Sequence, residues 1–395
     1  MRMIIVAVAL VSRLCCPMFA ADDAKRWRDL SVGRDAYRKS LTQVRKEHGG
    51  AYKLPAIDFF LFGMGSRDKY LYTNGHLQDA LTGRVIRTWE VMEELIAPSS
   101  YTVALKTKDG KTVFLFEDES AVWIESDGKR EALSKGNVKL PDFKGRKYQL
   151  VLRVLHQELL VNVVDGKPVP NFFVYSKPWY RDGAMMAMAF QKTGNLHVVK
   201  DWILSLREPY DRNNRGETEA DNLGEALYLV SLVSDKSHPL VPIVLKEFSR
   251  FEKGQYIVGR SDFGLHPVYQ TKWAKFGLRS LGLADPYNVP KEKDSYAALF
   301  WWAYKTDDMP GQKIIADDRY PYLGWAACHY ASSKSGKLSN RDYPLTWEAH
   351  ASQAKYDGIK RISAEYTRRK VCAPHTWHAA EAFLYLIEEA QDAEP

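Results

Sequence analysis

Cysteine is scarce in this chain. Only four occur, and since Cys15 and Cys16 lie in the first twenty residues, Cys328 and Cys372 are the two left to the body. A disulfide-stapled scaffold is therefore excluded, and no Cys/His spacing resembles a zinc site, so no metal is expected. In an oxidising compartment the two cysteines can pair, and as two separate buried thiols they serve equally well. Low-complexity tracts, Lys/Arg blocks, a GxGxxG turn and a phosphate loop are also missing. With them go the usual signatures of nucleic-acid binding and of nucleotide cofactors, and no cofactor is expected. After the first twenty residues no segment is apolar enough to cross a bilayer, so no integral membrane segment is expected.

What the chain does have is length and apolar content: 395 residues, 45% hydrophobic, enough for two domains and a large core. It opens with "MRMIIVAVALVSRLCCPMFAAD", in which Arg2 precedes an apolar run from Met3 to Val11. That run is too short to span a membrane and reads as a signal peptide over residues 1–20, predicting a secreted or periplasmic protein. Losing it removes Arg2 and Arg13 and no acid, which lowers the formal charge from +7 to +5. So mild an excess permits anionic ligands without asking for nucleic acid.

Two textures follow. Residues 21–49 are charged and predicted helical. From 50 to 174 come short β-branched and aromatic runs: "IDFFLF", "KYLYT", "YTVALKT", "KTVFLFE", "SAVWIES", "YQLVLRVL" and "QELLVNVV". "KDGK" (108–111), "SDGK" (126–129) and "VDGK" (164–167) join them, and an Asp-Gly pair between such runs is a hairpin signal. A β-sandwich-like domain is expected there. Residues 175–395 are helical in pattern: "NLGEALYLVSLVS" sets Leu223, Ala226, Leu227, Val230 and Val233 on one face. Further helices are predicted near 183–194, 195–207, 239–253, 294–306, 320–333, 347–366 and 376–391, with 254–273 as a loop. Eight of the eleven tryptophans fall in this half, and its polar loops carry many of the acids. Helical hairpins with such loops point to an α/α toroid whose loops build a cleft at one rim. The expected fold class is thus α+β in two domains, a β-sandwich-like domain and then a toroid with fewer helices than a complete ring.

Tryptophans beside carboxylates suit carbohydrate chemistry. A sugar offers C–H faces to aromatic planes and hydroxyls to Arg and Asp, and glycosidic cleavage needs one carboxylic acid and one carboxylate. Candidates are Glu217, Glu219 and Asp221 in "GETEAD", Asp262 in "RSDFGLHP" and Glu348 in "YPLTWEAH". Each also has an ordinary reading. Asp182 and Asp221 precede helices and can be N-caps, Glu217 and Glu219 can favour a helix dipole, and Trp347 can be a packing anchor. Met185 to Phe190 reads as core. Capping and packing do not ask for Trp and acid to recur together in separate loops.

"KPWYRDGAMMAMAFQKTGN" resembles the opening motif of the six-hairpin glycosidases, particularly the glucoamylase-like branch. "LTWEAHASQAKYDGIKRI" is similar to the Trp-Glu helix start of those enzymes, and "PHTWHAAEAFLYL" to their closing helix. The resemblance covers about residues 175–395. It implies an inverting hydrolase of a poly- or oligosaccharide, with Trp179, Arg181 and Asp182 holding sugar and Glu348 catalytic. Glu219 is the partner read from its loop, and Asp221, Asp262, His266, Trp347, His375 and Trp377 complete the expected substrate contacts. Two rivals stand beside it: a lyase on an acidic glycan using Arg260, His266 and Tyr269, and a non-catalytic glycan-binding protein. Loop alternation adds a condition. If residues 273–281 are helical, the His375 loop shares the rim of Arg181 and Glu348 does not; if they are not, the reverse holds.

Overall fold

The computed structural model describes residues 16–47, 57–173, 175, 177–212, 215–262, 264–291 and 376–389. It is mixed α+β, with antiparallel sheets first and helices later. Among the described residues no helix is long and apolar enough to cross a membrane.

The charged N-terminal stretch lies in helix α1, Cys16–Glu47. Two meanders follow. β1 (Phe60–Phe62), β2 (Tyr70–Thr73), β3 (His76–Asp79) and β4 (Val85–Thr88) form a four-stranded sheet. β5 (Val91–Ala97), β6 (Thr102–Thr107), β7 (Thr112–Glu117), β8 (Ala121–Ser126) and β9 (Lys129–Lys135) form a five-stranded one. Period-two alternation sorts the faces of the second sheet. Val103, Leu105, Val113, Leu115 and Val122 join the main apolar cluster with Phe60, Tyr72 and Leu77 of the first sheet. Leu95, Ala97, Ala104 and Phe114 face the other way, where Trp27 and Leu30 of α1 cover them.

The Asp-Gly signals fall where expected. Asp127–Gly128 turns β8 into β9 with φ of 51° and 71°, the double left-handed pair that a two-residue hairpin of this hand requires. Asp165–Gly166 (50° and 71°) turns β10 (Val163–Val164) into β11 (Lys167–Pro168). "KDGK" is a four-residue loop between β6 and β7, with Gly110 alone at positive φ. One expectation fails. "YQLVLRVL" and the start of "QELLVNVV" are not strands but helix α2, Gln149–Val161. From Val151 to Val161 every described side chain except Arg153 is buried, and a run buried all round shows neither a strand period nor a helix stripe.

A buried ion network pins the loop between β1 and β2 onto the second sheet. The Glu117 carboxylate accepts the N–H groups of Met64 (2.6 Å) and Gly63 (3.0 Å) and a bond from Arg67 Nη1 (2.8 Å). Arg67 also donates to the carbonyls of Asp118 and Gly136. Lys69 Nζ donates to the carbonyls of Gly63 and Gly65, and burial lowers its pKa to about 7. At Gly63, φ is 108° and a Cβ would meet Asp68 O at 2.2 Å, so only glycine fits.

The helical half contains α3 (Tyr180–Thr193), α4 (Lys200–Leu204), α5 (Asn222–Ser231), α6 (Leu240–Glu247), α7 (Pro267–Ser280) and α8 (Thr376–Glu389). The 195–207 and 239–253 helices are shorter than expected, each flanked by a 3-10 turn. The loop expected over 254–273 ends early: two short hairpins lead to Pro267, which opens α7 as the first helical residue. Tyr269 and Trp273 are consequently buried helix residues. The predicted helices at 294–306, 320–333 and 347–366 lie outside the described residues. α8 packs on α3, α3 on α5 and α5 on α7, while α8 also packs on α2. α5 and α7 approach backbone to backbone: a Cβ on Gly224 would meet the Trp273 carbonyl carbon at 2.2 Å, and one on Gly277 would meet Gly224 O at 2.4 Å.

The main apolar cluster runs unbroken from the sheets into these helices. Asn195, after α3, adds a polar tie, accepting from Lys139 N–H (2.7 Å) and donating to Lys139 O (2.8 Å). It also donates to His156 of α2 (3.2 Å), whose ring lies between Phe143 and Phe383 and is pushed by burial to a pKa of about 3.

Two stability predictions follow from these buried charges. Arg67→Met leaves Glu117 buried without its cation and should cost about 3–5 kcal/mol in urea unfolding. For His156 the folded pKa is depressed, so the unfolded chain takes the proton first. Its contribution is complete above about pH 6.5 and is lost as pH falls towards 3, at up to about 1.4 kcal/mol per pH unit. His156→Gln should remove that part of the acid limb, and an unchanged pH–stability curve would refute it.

Candidate functional site

The site starts at the N-terminus of α3. Trp179 is extended and half-buried, its ring 4.8 Å from that of Tyr175. The next amide, Tyr180 N–H, donates to Asp211 Oδ2 at 2.7 Å, so a carboxylate from another loop serves this helix end. Asp182 is the third helical residue and not the N-cap. It is buried, and its Oδ1 accepts a bond from Thr376 Oγ1 at 2.9 Å. The capping reading of Asp182 is corrected accordingly.

Arg181 gathers three carboxylates. Nε reaches Asp221 Oδ2 (3.0 Å), Nη1 reaches Asp262 Oδ2 (2.5 Å) and Nη2 reaches Glu219 Oε2 (3.1 Å). The guanidinium also lies 5.4 Å from the ring centre of Trp377. Its side chain is 4% exposed, Glu219 is 4%, Asp221 is sealed and Asp262 is 22% exposed. Solvent therefore reaches this cluster chiefly at Asp262.

Each acid is fixed by its loop. Asp221 stands at the N-cap position of α5 but makes no side-chain cap; its second oxygen accepts from Ser261 Oγ at 2.5 Å. Ser261 is held in turn by Gln270 of α7 at 2.9 Å. Glu219 Oε1 accepts the backbone N–H of Asp262 at 2.5 Å. Asp262 turns a tight hairpin, β14 (Arg260–Ser261) to β15 (Gly264–Leu265), which follows β12 (Glu252–Lys253) and β13 (Tyr256–Ile257). Its φ is 49°, the left-handed setting that Asp127 and Asp165 also take in their two-residue hairpins. On the rim Arg260 pairs with Glu217 at 3.2 Å, and His266 is half-buried just before α7.

One guanidinium cannot neutralise three carboxylates. Burial pushes the Glu219 carboxyl up to about 7; Arg181 opposes the rise, while Asp221 and Asp262 add to it. One turn deeper on α5, Glu225 accepts from Asn222 Nδ2 (3.1 Å) and Tyr269 O–H (3.4 Å). Burial first and Asp221 second raise it well above the carboxylate range. α3, α5, α7 and α8 all begin at this cluster, and their positive N-terminal ends offset part of the negative charge.

The expected residues thus divide. Arg181, Glu219, Asp221 and Asp262 meet directly, Asp182 and Trp377 adjoin them through α8, and Trp179 and His266 stand at helix entrances. Glu348, Trp347 and His375 lie outside the described residues. Helix α7 covers Pro267–Ser280, and Thr376, the first described residue of α8, reaches Asp182. Sequence reasoning passed over Asp211, Glu225, Ser261, Gln270 and Thr376. Only Glu225 carried a signal, a carboxylate amid the apolar residues of "NLGEALYLV". Among the described residues no group of His, Cys, Asp or Glu is arranged to hold a metal ion. Comparison of the chain with family models, curated proteins and solved structures returns no match.

Arg181→Met should be severe, about 3–5 kcal/mol at pH 7, because it strands buried carboxylates without their cation. Without Arg181 their folded pKa values rise above the unfolded ones. The variant should then recover stability as pH falls towards 5 and lose it as pH rises. Melting curves of variant and wild type across that range check both magnitude and sign.

Proposed function

We propose that the protein is a glycoside hydrolase acting on a poly- or oligosaccharide, with Glu219 as proton donor. The observation that carries this reading is the convergence of Glu219, Asp221 and Asp262 on Arg181 at four helix N-termini. A carboxyl raised to about 7 keeps its proton near neutrality, which an acid catalyst needs. Asp262 is the accessible carboxylate of the group, and Trp179 supplies an aromatic face at the neighbouring helix entrance. The helix order supports an α/α toroid: α8, α3, α5 and α7 are successive neighbours starting at one rim, with α4 and α6 between them in sequence. Export through the first twenty residues belongs to the same proposal.

The partner carboxylate is Asp262 where loop alternation holds, which with Pro267–Ser280 helical sets Glu348 on the opposite rim, and Glu348 where it does not; stereochemistry separates them. Glu219 and Asp262 are bonded to the two Nη atoms of one guanidinium, a proximity that fits the closer spacing of a retaining pair, roughly 5–5.5 Å. Inversion needs the two carboxyl groups roughly 6.5–9.5 Å apart and therefore calls on Glu348. The lyase reading is weakened because Tyr269 is buried against Glu225 and Arg260 is paired with Glu217. A non-catalytic glycan-binding role has one observation in its favour: Arg181 is already committed to protein carboxylates.

A glycan panel with products read by mass tests the proposal. Hydrolysis adds one water, a lyase yields fragments lighter by one water, and a binder leaves every glycan intact. On a cleaved substrate Glu219→Gln should lower kcat at least about a hundredfold. Asp262→Asn and Glu348→Gln then assign the partner by which one does the same. A fully active Glu219→Gln would exclude the donor assignment.

A further inference from the structure

We infer that the C-terminal helix α8 contributes two positioning residues to this site, Thr376 and Trp377, which hold the Arg181–Asp182 pair in register with the three carboxylates. The inference rests on the hydrolase reading for its catalytic meaning and on geometry for its substance. Thr376 is fully buried and held at two points. Its N–H donates to Pro170 O at 2.8 Å, and its hydroxyl donates to Asp182 Oδ1 at 2.9 Å. Pro170 lies on the connection that leads into α3, so one residue fixes the approach to that helix and its first turn together. The adjacent Trp377 is buried with its ring 5.4 Å from the Arg181 guanidinium carbon.

The division of labour follows from the shape of a guanidinium. Its edges carry the N–H groups, and each of the three nitrogens of Arg181 bonds one acid, Asp221, Asp262 or Glu219. The flat faces have no donors and are where water would enter. The Trp377 indole, 5.4 Å from the guanidinium carbon, attracts the cation and takes space that water would fill. Thr376 acts on the backbone side: with Asp182 tied to α8, the first turn of α3 cannot rotate, and the Arg181 side chain leaves it in one direction. A hydroxyl 194 residues away in sequence thus sets the aim of the arginine.

Dryness and aim together govern the Glu219 proton. The charged and titratable groups around Glu219 are Arg181 from α3, Asp221 on its own loop, Asp262 on the hairpin and, more deeply, Glu225 and Tyr269. Admitting water beside Arg181 lowers the desolvation that holds the Glu219 proton, and loosening Arg181 changes the cation that opposes it. Neither Thr376 nor Trp377 touches a reacting atom in this account.

The test uses the full chain with Thr376→Val, Thr376→Ser and Trp377→Leu. Carboxyl protonation is followed by infrared difference titration, and the Glu219 band is assigned by its loss in Glu219→Gln. Trp377→Leu should move the Glu219 midpoint down by about one pH unit as water enters. Thr376→Val should shift it measurably, and Thr376→Ser, which keeps the hydroxyl, should restore it. On a substrate that the wild type cleaves, Thr376→Val should lower kcat about tenfold with KM within about twofold, and the acid limb of the pH–rate profile should move with the infrared midpoint. A wild type that cleaves no glycan removes the hydrolase reading alone, since the titration still decides the positioning roles. If Trp377→Leu does not fold, the Val and Ser variants at Thr376 decide. An unshifted Glu219 midpoint in folded Thr376→Val, or a Ser variant as impaired as the Val one, overturns the inference.

Discussion

Arg181 is the constraint on which the helical half turns. A guanidinium can be buried only if its charge is met and its N–H groups are bonded, and no single loop can meet both demands. Here the partners come from the loop before α5, which supplies Glu219 and Asp221, and from the hairpin before α7, which supplies Asp262. The start of α8 lies against the guanidinium through Trp377. Four helices distant in sequence are therefore obliged to begin at one place. The close contact of α5 and α7 through Gly224 and Gly277 meets the same need from below, since any Cβ at either position would push the two helices apart.

The sheet half repeats the device in another form. Glu117 is buried at the end of β7 and answered by Arg67 and two backbone amides, which folds the 63–69 loop of one sheet onto the other. Buried ion pairs add little net stability against an apolar alternative, so their contribution lies in what they specify. Apolar alternation fixes which face of a strand is inward but leaves loop paths open. A carboxylate with one cation within reach fixes a path. Between the two networks the apolar cluster is continuous, and the Asn195–Lys139 bonds cross it.

How much of this was legible depended on whether the signal was local. Asp127–Gly128 and Asp165–Gly166 declared their turns because positive φ is a property of the residues themselves. Alternation in "YTVALKT" and "KTVFLFE" declared strands because one face meets the main core and the other meets α1. α2 hid itself, since burial on nearly all sides erases periodicity and its valines favour a strand reading. Pro267 marked the true start of α7, but the aromatics after it looked like a loop's binding surface when they are core. In the site, Arg181 and its acids were picked out as types, while their mutual pairing was not. Arg181 and Asp182, expected to hold sugar, are bonded in the protein to Glu219, Asp221, Asp262 and Thr376. No spacing rule links residue 182 to residue 376, which meet only when α8 packs on α3.

Charge accounting shows what the cluster does to its own carboxyl groups. With every acid ionised, Glu219, Asp221 and Asp262 around Arg181 leave two negative charges in a nearly dry space. Helix N-termini reduce that excess by partial charges only. The cheapest remaining relief is a proton, and it goes where burial is deep and the cation's hold weakest. Of the three, Asp262 is the one that solvent reaches, while Asp221 and Glu219 each accept a second bond, from Ser261 Oγ and from the Asp262 N–H. Burial lifts the Glu219 carboxyl to about 7, with Asp221 and Asp262 adding to the rise and Arg181 opposing it. The adjoining Asp262 is the carboxyl that solvent reaches, so one arginine holds a buried carboxyl with a raised pKa beside an accessible one. That asymmetry, which the proposed acid–base cleavage would use, follows from unequal burial around a single shared cation.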